Sequence, residues 1–158
     1  MDNPFKTTGL RHGTDDPRGL IERIDAQLAE RIEEAVEMAA LHLLVELRKR
    51  HSRPAPETDS RADREEFQAV AEDLLAYLGR AFEAGLTAER RPGLERARAE
   101  GSDPRARELR GQIFLARQLP DYWQCLETHR AAYAEARLAA PPPPASFLKR
   151  LLGSYSRP

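Results

Sequence analysis

Ile21, Ile24, Leu28, Ile32, Ala35, Ala39 and Leu43 recur three or four residues apart, the spacing that lines side chains along one face of an α-helix. Just before them, Asp16 supplies an N-cap oxygen and Pro17 suits the first helical position, where its missing amide hydrogen would have had no partner. The pattern predicts a helix from residue 16 to about His51. At roughly 1.5 Å per residue it approaches 50 Å, more than a compact domain of this size covers end to end. Arg48, Lys49 and Arg50 stand where the last carbonyls are unpaired, in agreement with the helix dipole.

Pro54 and Pro56 break the periodicity, and Ser60 with Asp63 resembles a capping box at the start of a second helix. Phe67, Val70, Leu74, Leu78 and Ala81 form its main stripe, Leu75 and Phe82 widen it, and it is expected to end near Gly85. A loop of about eight residues between two amphipathic helices favours antiparallel neighbours, because a parallel return needs a longer crossover. Residues 87–103, with Leu94 as their single bulky apolar side chain, read as a solvated connector with a transient helical turn at most.

Asp103-Pro104 repeats the earlier start signal, and Leu109, Ile113, Phe114 and Leu115 mark a short helix that Pro120 either kinks or separates from the next. The last helix of the body is expected over about residues 121–139, with Tyr122, Trp123, Leu126, His129, Arg130 and Tyr133 near one side. No strand alternation is sustained. The fold expected is all-α: a long antiparallel helical hairpin with a shorter helical pair packed on it, a helical bundle over 16–140. A flexible arm, 1–15, precedes it, and a Pro-rich linker with a short amphipathic tail, 141–158, follows.

Composition narrows the chemistry. Twenty-five basic and 26 acidic residues leave a net charge of −1, so no global field draws the chain to nucleic acid or an anionic membrane. Arg90, Arg91, Arg96 and Arg98 are interleaved with Glu89, Glu95 and Glu100, which weakens any local field, and no nucleic-acid partner is expected. The apolar run Met38 to Val45 is far short of the roughly 20 residues that span a bilayer. One cysteine, Cys125, excludes an internal disulfide, and residues 1–15 hold no secretory-type apolar stretch, so a cytoplasmic location is expected.

The facing Glu-x-x-His pairs of a carboxylate-bridged bundle are missing, and neither His42 with Glu46 nor Glu127 with His129 makes a repeated ligand set. No metal and no cofactor is expected, and His42 reads as a hydrogen-bonding residue at the core edge. Cys125 and His129 lie one helical turn apart, as a nucleophile and base would, but a free cysteine beside Trp123 and Leu126 reads first as a small buried hydrophobe. With Tyr122, Trp123 and Tyr133 they form a candidate ligand pocket. No phosphate loop, nucleophile elbow or His-Glu-x-x-His motif occurs, and an enzyme is not expected.

The tail is a separate signal. After Pro141 to Pro144, Phe147, Leu148, Leu151 and Leu152 gather on one side of a short helix and Lys149 and Arg150 on the other, with Ser146 and Gly153 as caps. So short a helix needs a partner surface to stay ordered. That surface is the protein's own bundle, another protein's groove or an anionic membrane. The reading preferred is a non-enzymatic adaptor or regulatory protein. It dimerises through the exposed stretch of its overlong first helix and binds a protein partner through Phe147 to Leu152. A peripheral membrane protein using the same tail, and a small helical ligand-binding protein or enzyme centred on Trp123, Cys125 and His129, are the alternatives.

Overall fold

Asp16 turns the chain into its first helix: Oδ1 accepts the Arg18 amide at 3.0 Å, and Pro17 follows at the first helical position. The computed structural model describes residues 16–140, and in it α1 runs Pro17–Arg50. The expected arm, 1–15, and the tail with Phe147, Leu148, Lys149, Arg150, Leu151 and Leu152 lie outside the described residues.

α1 stops in a Schellman arrangement. Ser52 takes φ 53°, its amide donates to the Lys49 carbonyl at 3.2 Å, and the Arg53 amide donates to the Arg48 carbonyl at 2.8 Å. Carbonyls that the helix leaves open are thereby paired. Ser60 then caps α2, Arg61–Ala84, accepting the Asp63 amide at 3.3 Å. Asp63 does not complete the capping box. Its carboxylate accepts from Arg48 Nη2 at 2.8 Å and from the Glu57 amide at 2.7 Å. Arg48, one of the three cations expected at this helix end, is buried and also reaches Glu66 at 2.6 Å, pinning α1 to the start of α2.

The connector expected to be solvated contains a helix, α3, Arg91–Ala99, and Leu94 within it is fully buried. The physical reason is clearance. A Cβ on Gly93 would stand 2.7 Å from the Phe114 ring, and one on Gly111 would stand 3.2 Å from Leu94 and Arg98. With only hydrogen at both positions, α3 lies close on its main neighbour, α4, Pro104–Gln118. The Arg98 stem covers apolar surface there while its head pairs with Glu83 at 3.1 Å. Asp103 caps α4 through the Ala106 amide at 2.8 Å. Pro120 separates the last two helices rather than kinking one, and α5 runs Tyr122–Ala139.

Cross-element contacts set the directions. Arg48 with Asp63 ties the end of α1 to the start of α2, and Phe82 on Tyr122 with Asp73 on Tyr133 makes α2 antiparallel to α5 and hence to α1. Arg105 with Glu37 at 3.8 Å and Arg117 with Asp25 at 3.5 Å make α4 antiparallel to α1 as well. Arg130 Nη1 donates to the Ala35 carbonyl at 2.8 Å, and Arg50 Nη1 to the Leu138 carbonyl at 3.0 Å, so α5 runs parallel to α1. α2 and α4 share a direction, and α3 is the crossover that permits it. The result is an all-α bundle with no strand among the described residues.

Ile32, Val36, Ala40 and Leu43 of α1 meet Leu74, Leu78 and Phe82 of α2, Ile113 and Leu115 of α4, and Leu126 and Tyr133 of α5 in one core. Each fully buried Leu or Ile there contributes about 1.5–3 kcal/mol. The stripe on α1 is covered only from about Leu28 onward: Ile21 and Ile24 remain 43% and 42% exposed.

Candidate functional site

The five side chains expected to line a ligand pocket are used to fasten α5 to the bundle. The Tyr122 ring stacks on Phe82 with centroids 5.2 Å apart, and its hydroxyl donates to Gln112 Oε1 at 2.7 Å, both residues fully buried. Trp123 stands edge-on to Tyr122 at 5.0 Å, with the Arg31 guanidinium 3.7 Å above its ring. His129 meets Phe82 edge-on at 4.8 Å. Tyr133 packs on Tyr77 and donates its hydroxyl to Asp73. Ring contacts of this kind add about 0.5–1.5 kcal/mol beyond area burial.

The surroundings of the same residues shift their protonation equilibria. Burial pushes the Cys125 thiol up, and Asp121, which accepts its Sγ–H at 3.3 Å, pushes it further. A thiol is a poor nucleophile next to its thiolate. Burial lowers the His129 imidazole below its ordinary value. It would suit a neutral base, but no hydrogen bond joins it to Cys125. Burial also raises the Tyr122 phenol, and burial with the Asp73 hydrogen bond raises that of Tyr133. His42, expected at the core edge, is exposed.

Two open surface grooves lie elsewhere, of about 780 Å³ beside Arg98, Arg105 and Glu108, and about 320 Å³ beside Phe114 and Arg117. In the first, burial raises the Glu108 carboxyl against the opposing pull of Arg98, whose Nη2 lies 4.0 Å away. Acids and bases alternate along its wall, which favours no ligand of single charge. Among the described residues no three His, Cys, Asp or Glu side chains converge as metal ligands, and no helix is long and apolar enough to cross a membrane.

A different feature is concentrated on one element. Leu20, Ile21, Ile24, Met38 and Leu41, the large hydrophobics 42% or more exposed among the described residues, all belong to α1. Leu20, Met38 and Leu41 lie by helical spacing on the side turned away from Ile32, Val36 and Leu43, and Ile24 lies between that side and the core stripe. These side chains leave apolar surface facing water on an otherwise charged helix face. Sequence reasoning placed the self-pairing stretch on α1 without naming Met38 or Leu41. Their signal was a second set of three-and-four spacings, which only the position of the core tells apart from the first. No family model, curated protein or solved structure matches the chain.

Proposed function

We propose that the protein is a non-enzymatic helical adaptor that associates with itself through the outer face of α1 and recruits a protein partner through Phe147, Leu148, Lys149, Arg150, Leu151 and Leu152. The observation that carries the reading is that, among the described residues, the exposed large hydrophobics all belong to α1. Pairing would remove that surface from water. The engagement of Tyr122, Trp123, His129 and Tyr133 in packing supports a binding role over a catalytic one.

Sedimentation of the full chain at about 50 µM, above the micromolar range of modest protein affinities, is expected to show a dimer. Met38→Lys with Leu41→Glu should return it to monomer with unchanged helical circular dichroism. A monomeric wild-type chain removes the self-association half. For the tail, the chain and a form ending at Ala140 are compared for captured proteins and for flotation with anionic vesicles. Loss of a specific protein on truncation supports recruitment; loss of vesicle binding alone replaces it with the peripheral membrane reading.

A further inference from the structure

The outer face of α1 has a register as well as an apolar character. Leu20, Ile24, Gln27, Arg31, Glu34, Met38, Leu41 and Val45 follow one another at alternating steps of four and three, the spacing of a coiled-coil seam, over about three and a half heptads. Its ends are apolar and its middle is polar. Arg31 and Glu34 flank the midpoint, both exposed, and Trp123 holds the Arg31 guanidinium in place from below at 3.7 Å.

Laid parallel on itself, this seam would bring Arg31 against Arg31 and Glu34 against Glu34. Laid antiparallel, it brings Arg31 of each copy to Glu34 of the other. The same alignment places Ile24 opposite Leu41, Leu20 opposite Val45 and Gln27 opposite Met38. Like charges at an interface exclude an alignment and opposite charges select one, so a central polar pair sets orientation even where it adds little affinity. Of the acids flanking the seam, Glu37 is already engaged by Arg105 at 3.8 Å, so the carboxylate that Glu30 of the other copy would approach is partly neutralised.

We infer that the occupant of this face is a second copy of the chain, seated antiparallel, with apolar contacts at both ends and reciprocal Arg31 to Glu34 pairs about the two-fold axis. The inference rests on the self-association proposed above and adds the orientation.

The test uses full-length protein with Cys125→Ser, which removes the one native thiol. In that background, Ile24→Cys together with Leu41→Cys is expected to give a covalent dimer on mild oxidation, as is a mixture of the two single variants. Neither single variant should do so alone, since antiparallel seating holds each residue about 25 Å from its own copy. Cross-linking of Ile24→Cys alone would overturn the antiparallel seating. A dimer by sedimentation under reducing conditions that the double variant fails to cross-link would overturn the register while leaving self-association standing. A monomer under those conditions would end both. Glu34→Arg should weaken the dimer by about tenfold, as loss of an interfacial charge pair does, and adding Arg31→Glu should restore it. Weakening that the second change does not reverse counts against the reciprocal pairs.

Discussion

Replacing Tyr122 by Phe isolates one hydrogen bond. The ring keeps its stack on Phe82 and its edge contact with Trp123, so little volume changes. What disappears is the 2.7 Å bond from the hydroxyl to Gln112 Oε1. Gln112 is fully buried, and its Nε2 already has no hydrogen-bond partner among the described residues. The Tyr122→Phe change therefore strands the whole amide, at a cost of about 1–3 kcal/mol. Gln112→Leu strands the hydroxyl but also removes the unpartnered Nε2, so its two effects oppose and it should cost less. Combining them leaves two apolar groups of similar shape in contact, which is nearly neutral or stabilising. Urea unfolding at pH 7, read as a midpoint shift at constant slope, measures all three. The coupling should lie within about 0.5–3 kcal/mol. Additive losses, with the double variant the least stable, would refute the view that the unpaired amide sets the cost.

Glu108→Gln is expected to stabilise the fold. Burial raises the folded carboxyl above its unfolded value, so wild-type stability is greatest with the group protonated and falls as pH rises through that interval. The advantage of Gln should grow across the same interval in pH-dependent unfolding and be absent at lower pH. Ser52→Gly should raise stability by about 0.5–1 kcal/mol, the relief of a left-handed serine less the extra entropy of unfolded glycine; a loss would show that the hydroxyl itself holds the turn. Cys125 should alkylate with iodoacetamide at pH 8 more slowly than a small free thiol, and Asp121→Asn should speed it, since Asp121 adds to the upward shift. An unchanged rate would leave burial as the whole cause.

Helix starts were legible because Asp16-Pro17 and Asp103-Pro104 act within one turn, where chain neighbours decide the outcome. The hairpin followed from two apolar periods and a short proline-bearing loop. α3 was not legible: Leu94 alone predicts no packing, and what lets it bury is the absence of side chains at Gly93 and at distant Gly111. Arg48 was legible as a cation of the last helical turn but not as a buried one, since its burial depends on Asp63 and Glu66 arriving from the next helix. At the candidate pocket, one-turn spacing of Cys125 and His129 was correct as geometry. Their contacts come from Asp121 and from Phe82 on another helix, and those decide the chemistry. On α1, the core stripe is apolar throughout and the outer one only at its ends, so Leu20, Met38 and Leu41 could be told from core positions only once the neighbouring helices were in place.

The Arg50 hydrogen bond to the Leu138 carbonyl fixes more than a helix end. Because α5 travels with α1, Ala140 is released beside the carboxyl end of a helix about 50 Å long. In an antiparallel pair the two release points would stand at opposite poles of the assembly. If the tail recruits a partner as proposed, a single small partner would grip one tail at a time, whereas an elongated or repetitive partner could be bridged. Avidity would come from the spacing of the partner's sites, with the paired α1 helices acting as the ruler.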